Sequence, residues 1–240
     1  MKTTFLLYGG LLLLLSGCLS KENDFISKYC PGSCTVISGR LTTDGGATPL
    51  AHVKVDVNWQ WRGTLGIGGM NRRKATTTTD ADGRYELRFL LRDDELTDHS
   101  YNSYITVIAA LNPDKYFTLY DYESIVEPYI TMKRDTSYSA DYTFPQKAFV
   151  ELQLRNTAAM QPEDQFITAF VFSGGQNNAQ NLGSMLYWNK ETPATTLTVP
   201  VAANQQVLIR IKKTKNGVET ITETPLRLKP GQHTTFEATF

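Results

Sequence analysis

Histidine and cysteine are scarce in this chain, with three of each among 240 residues. His52, His99 and His233 stand far apart in sequence. None of them opens a His-x-x-Glu pair, so neither a zinc site nor a histidine-based catalytic set can be put together. Charge of one sign is not in excess either: 24 basic residues balance 24 acidic ones. That balance argues against a nucleic-acid binder, which needs a basic surplus. Helical periodicity is almost missing after residue 18, which argues against bundles and βαβ units. The mature part also has no apolar run long enough to cross a bilayer. The sequence therefore points away from an enzyme, with no cofactor and no metal expected.

What is present begins at residue 1. Met1-Lys2 gives a positive start, an apolar run follows from Phe5 to Leu15, and the run closes on Leu15-Ser16-Gly17-Cys18. The run is too short for a typical span, and Gly9-Gly10 interrupts it. This resembles a bacterial lipoprotein signal peptide with its lipobox. The resemblance implies cleavage before Cys18, acylation of that residue, and a body tethered to the membrane through Cys18, at the cell surface or the periplasmic face of the outer membrane. Several acyl chains hold where a single one binds only marginally. The next residues, Leu19-Ser20-Lys21-Glu22-Asn23-Asp24, resemble the acidic export signals of Bacteroidetes surface lipoproteins. They read equally as a solvated linker.

Cys30 and Cys34 flank Pro31-Gly32-Ser33. A turn through Pro-Gly brings two thiols together, and an exported protein meets an oxidising compartment, so a local disulfide is expected. The alternative is a redox or metal pair. Redox motifs usually place two residues between the cysteines, and no His or further Cys lies nearby.

Alternation recurs along the rest of the chain. Val53, Val55, Val57, Trp59 and Trp61 fall on one face of a strand, with Lys54, Asp56, Asn58 and Gln60 on the other. Tyr85, Leu87 and Phe89 alternate with Glu86 and Arg88, and residues 105–111 form an apolar strand. The pattern restarts after Pro145 with Val150, Leu152 and Leu154, then residues 166–172, then Val207, Ile209 and Ile211. Asn216-Gly217 predicts a type I′ hairpin turn, and Phe236, Ala238 and Phe240 predict a closing strand. Strands at this spacing predict an all-β fold of two consecutive β-sandwich domains. The expected division is a signal peptide at 1–17, a lipidated tether at 18–34, a first sandwich at 35–145 and a second at 146–240.

The first sandwich carries a resemblance. Ser38-Gly39-Arg40-Leu41 leads to Pro49-Leu50-Ala51-His52-Val53-Lys54-Val55, then to Thr77-Thr78-Thr79-Asp80-Ala81-Asp82-Gly83-Arg84-Tyr85-Glu86-Leu87. This resembles the carboxypeptidase regulatory-like, transthyretin-like β-sandwich. That resemblance implies a fold and is almost silent on activity. The zinc site of carboxypeptidases belongs to a different domain, and the tail of transthyretin-related hydrolases is missing. The second sandwich resembles only a generic Ig-like one.

Several side chains invite a function. Asp80-Ala81-Asp82-Gly83 suits a hard cation in its spacing but lacks the later bidentate Glu, and it reads better as a turn. An isopeptide-forming lysine, as in related Gram-positive sandwiches, would have to point into the core, and alternation puts Lys54 on the polar face. The stretch from Arg62 to Lys74 reads as a Gly-rich basic loop with no strand-to-helix setting for phosphate. Tyr116, Tyr120 and Tyr122 head a Tyr-rich region suited to stacking, and Asn177 and Asn178 lie in a polar loop suited to hydrogen-bonding a glycan. The expectation is a non-enzymatic envelope lipoprotein that binds a glycan or a protein. The alternative is a structural or accessory subunit of an envelope assembly, pairing through an edge strand.

Overall fold

The computed structural model describes residues 20–24, 30, 33–63, 69–97, 103–117, 124–130, 133–175, 180–192 and 196–240. Cys18, His99, Tyr120, Tyr122, Asn177 and Asn178 lie outside the described residues. Among the described residues the fold is all-β, in several layered sheets, with one short α-helix and two 3-10 turns.

The first group of strands comprises β1 (Ser20–Asn23), β2 (Thr35–Thr43), β3 (Thr48–Pro49), β4 (Lys54–Trp61), β5 (Met70–Thr78), β6 (Arg84–Phe89), β7 (Ser103–Ala109), β8 (Ser124–Ile130), β9 (Ser137–Ser139) and β10 (Tyr142–Thr143). One sheet runs β1-β5-β4-β7-β8. The facing sheet is built around β2, which meets β6 and β9 along its first half and β3 and β10 along its second. Strict alternation in β6 buries Tyr85, Leu87 and Phe89 and exposes Arg84, Glu86 and Arg88. Together with Ile37, Leu41, Val55, Val57, Trp59, Ile105, Val107 and Phe144 they form one core. Each large side chain buried there contributes about 1.5–3 kcal/mol.

Two stretches depart from the sequence reading. Residues 20–24 are not a free linker: β1 pairs parallel with β5, and Asp24 is buried. The expected tether at 18–34 thus contains part of the sheet. Likewise, Met70 to Lys74 are strand β5 rather than loop. Both differences have one cause: polar residues need not be solvated, since β1 pairs through its backbone and β5 turns charged side chains inward.

The second group comprises β11 (Lys147–Arg155), β12 (Gln165–Ser173), β13 (Gln180–Trp188), β14 (Thr196–Ala202), β15 (Val207–Lys215), β16 (Val218–Leu226) and β17 (His233–Thr239). A three-stranded sheet, β14-β11-β17, faces a four-stranded one, β13-β12-β15-β16. Phe166, Phe170, Val150, Leu152, Val201, Val207, Ile209 and Ala238 fill the space between them as a second core. Asn216 and Gly217 both take positive φ, 51° and 75°, as a two-residue I′ turn between β15 and β16 requires. The two cores meet where Phe117 donates to the Pro145 carbonyl, Lys147 donates to that of Lys115, and Phe117 packs 5.0 Å from Phe172.

Candidate functional site

The most unusual chemistry lies inside the first core. Against β4, the register of β5 passes from Val57↔Ala75 to Asn58↔Arg73, so Lys74 is the extra residue of a β-bulge. Bulges re-aim side chains. Here Arg72 turns inward ahead of the bulge, Lys74 turns inward at it, and Ala75 turns inward after it. Glu95 meets them from the short helix α1 (Asp93–Thr97). Its carboxylate accepts from Arg72 Nη1 at 2.8 Å, from Lys74 Nζ at 2.8 Å, and from the Arg92 backbone N–H at 2.8 Å. The last of these caps the start of α1. Asp24 completes the cluster, accepting from Lys74 Nζ at 2.5 Å and from Arg92 Nη2 at 3.0 Å. Arg72 also lies 5.1 Å above the Trp59 ring.

Among the described residues, Arg72, Lys74 and Arg92 face Asp24, Asp94 and Glu95. Burial alone would raise the Asp24 carboxyl, but its bonds from Lys74 and Arg92 outweigh this and hold it below the ordinary carboxylate value. Lys74 and Glu95 have no exposed side-chain surface, so no substrate can reach them. The cluster ties β1, β5 and α1 together. Lys54, by contrast, is exposed and 3.4 Å from Asp56.

A second feature is a cleft of about 530 Å³ where the two cores adjoin, lined by Arg40, Asp44, Asp141, Tyr142, Asn204 and Gln205 among others. Asn204 Nδ2 donates to Asp44 across it at 2.6 Å. Gln205 exchanges two hydrogen bonds with the Ser173 backbone, at 2.9 and 3.0 Å. Tyr142 donates to the Gly174 carbonyl at 3.3 Å, and burial pushes its hydroxyl up to about 12. The walls are polar, and their aromatic member is buried and offers no stacking face.

A third feature is the outer part of the second sandwich. Cross-strand partners share a face of a sheet. Leu226, Thr224, Thr222, Thr220 and Val218 lie opposite Val207, Ile209, Ile211, Lys213 and Lys215, on the side that faces the three-stranded sheet. Yet β16 is exposed from Val218 to Pro225. Lys215 Nζ sits 5.5 Å over the Phe240 ring, just past β17, so β17 lies beneath β15 and β16 overhangs it. On the outer face Arg210 pairs with Glu223 and Lys212 with Glu219, both at 2.6 Å. Among the described residues, the large apolar side chains that stand exposed are Met185 and Tyr187 on β13 and Val218 and Ile221 on β16, the two edges of this sheet.

The residues singled out in the sequence fare unevenly. Cys30 and Cys34 are joined as a disulfide, with Cα atoms 5.2 Å apart. Tyr116 is half-buried, bridges to Gln146, and has Lys115 Nζ 5.3 Å from its ring. Its expected companions lie outside the described residues. Asp80 Oδ1 accepts from the backbone N–H groups of Asp82 and Arg84, which makes the acidic motif a tight turn carrying the chain from β5 in one sheet to β6 in the other. His233 stacks on Phe149 and bonds Glu151 at 3.1 Å. Among the described residues no group of three or more His, Cys, Asp or Glu converges as a metal site.

Comparison with known proteins adds little beyond the fold. No family model matches the chain, and no curated protein matches it. Among solved structures, the shaft pilin SpaA of Lactobacillus rhamnosus GG is similar at 10% identity and a TM-score of 0.28, over 86% of this chain and 97% of that one. The Bacillus anthracis TIE protein is similar at 10% identity and a TM-score of 0.29, over 86% of this chain and 33% of that one, so this chain spans a third of its length. Catechol 1,2-dioxygenase from Pseudomonas arvilla C-1 is similar at 12% identity and a TM-score of 0.26, over 52% of this chain and 56% of that one. At such scores none of these likenesses carries an argument about role.

Proposed function

We propose that this chain is a lipid-anchored, non-enzymatic subunit of a bacterial envelope assembly. It is tethered to the outer membrane through Cys18, and its sandwich of residues 146–240 joins a partner protein by strand pairing. The sandwich of residues 35–145, which resembles the carboxypeptidase regulatory-like type, serves as its base. The observation that carries this reading is β16: a nine-residue edge strand, hydrogen-bonded on one side among the described residues and overhanging the smaller sheet. Unpaired edges template further strands, and evolution usually blunts or covers them. An extended partner segment placed beside β17 would cover the inward face of β16 and equalise the two sheets.

The test is photo-crosslinking in intact cells from a reactive residue at Thr222. One discrete adduct with an envelope protein supports the reading. Absence of any adduct, with the protein correctly anchored, defeats it.

The cleft at Arg40, Asp141 and Asn204 favours a second reading, a glycan held by hydrogen bonds. It predicts binding of isolated saccharides that is lost on Asn204→Ala together with Arg40→Ala. A saccharide array that binds nothing removes it.

A further inference from the structure

The overhang of β16 leaves a space beside β17, and its walls say what kind of segment fits there. The first wall is the free edge of β17. Phe149 donates to the Gln232 carbonyl at 2.8 Å, and Phe240 donates to the Arg155 carbonyl at 3.1 Å. In a parallel pair such bonds engage alternate residues, so β11 takes up Thr234, Phe236 and Ala238. The backbone groups of His233, Thr235, Glu237 and Thr239 point the other way, where no strand pairs with β17 among the described residues.

The free edge of β16 is less complete. Its two-residue turn closes on Lys215↔Val218, so Glu219, Ile221, Glu223 and Pro225 face outward, and Pro225 has no N–H to donate. β17 is therefore the strand to be extended, and β16 is the roof over the addition. That roof consists of Val218, Thr220, Thr222 and Thr224, all exposed. It suits apolar, β-branched side chains on alternate residues of an added strand.

Charge is unmatched at one end of this space. Lys213 and Lys215 lie opposite Thr220 and Val218 on the inward face of β15. Lys213 Nζ is 5.9 Å from the centre of the Phe166 ring, and Lys215 Nζ is 5.5 Å from that of Phe240. On the outer face Lys212 has Glu219 and Arg210 has Glu223, but among the described residues neither inward lysine is ion-paired. Two cations on alternate residues of one strand stand about 7 Å apart and repel each other. A ring beneath each gives only a weak hold. A carboxylate on an added strand would answer both.

We infer that the space beside β17 and under β16 holds an extended segment of a partner protein, apolar on its inward residues, with an Asp or Glu at the Lys213–Lys215 end. This rests on the strand-pairing reading above and adds to it the sequence character of the partner.

The test uses the full anchored chain in intact cells and the cross-link from position 222. Tandem mass spectrometry of the adduct reads the captured segment. The expected segment alternates apolar residues and carries an Asp or Glu within about four residues of the cross-linked one. Lys213→Gln with Lys215→Gln should leave Tm unchanged and cut the adduct about tenfold, and Lys213→Arg with Lys215→Arg should retain it. A captured segment with no acidic side chain there, an adduct with lipid, or equal yield from the Gln variant overturns this inference and leaves strand pairing standing. Should the Gln variant lose stability, the segment captured by the parent decides alone. No adduct from the parent defeats strand pairing and this inference together.

Discussion

Lys74 Nζ lies 2.8 Å from both carboxylate oxygens of Glu95, and neither side chain has exposed surface. A buried pair of this kind contributes little net attraction once desolvation is counted, but removing one partner strands a charge. Lys74→Met should therefore destabilise the first sandwich by about 3 kcal/mol. Urea unfolding followed by tryptophan fluorescence would show this as a lower midpoint for the first sandwich, and an unchanged midpoint would show that the Lys74–Glu95 pair is not buried in solution.

Asp24 gives that cluster a pH dependence. Its carboxyl is depressed in the folded state, so its stabilisation is fully present above the unfolded value of about 3.9 and is lost as pH falls through the lower folded value. The acid limb of a stability–pH curve should be flatter in Asp24→Asn than in the parent, and the Asn variant should be weaker at neutral pH. Equal slopes below pH 5 would assign the acid sensitivity elsewhere.

Gly83 has a φ of 76°, and a Cβ there would run into the Leu41 carbonyl oxygen. Gly231 has a φ of 72° with open space around it. Left-handed backbone costs an alanine about 1–2 kcal/mol at either site, and only Gly83 adds the clash. Gly83→Ala should thus lower Tm clearly more than Gly231→Ala.

The overhanging face of β16 is exposed, so substitutions there should leave the isolated protein within about 0.5 kcal/mol of the parent. Val218→Lys with Thr220→Lys should preserve Tm and yet abolish the adduct formed from the reactive residue at 222. A drop in Tm of many degrees would mean that this face is covered within the chain.

How much of this was legible in sequence varied with how each strand is stabilised. β6 and β11 bury every second residue, so alternation alone placed Tyr85, Leu87, Val150 and Leu152 correctly. The I′ turn was written in Asn216-Gly217. β5 was not legible, because its inward residues are Arg72 and Lys74, and their partners Glu95 and Asp24 are distant in sequence. The only hint was compensation: a basic run at 72–74 and an acidic run at 93–95 in one small domain. β1 holds its place by backbone pairing, which leaves no side-chain pattern. The Tyr-rich stretch signalled core as much as surface: Tyr142 is buried and its hydroxyl bonds a backbone carbonyl. The overhang of β16 arises from unequal strand numbers in two sheets, which no local pattern reports.

β11 opens the second core and pairs in parallel with β17, which closes it. Asn156, just past β11, bonds the Phe240 carbonyl 84 positions later. Nothing shorter than the whole stretch can complete that sheet, and contacts this remote in sequence form slowly. During synthesis, the first body has all its strands before the second does. For that interval a finished first sandwich carries an unfinished second one, whose apolar strands are still uncovered.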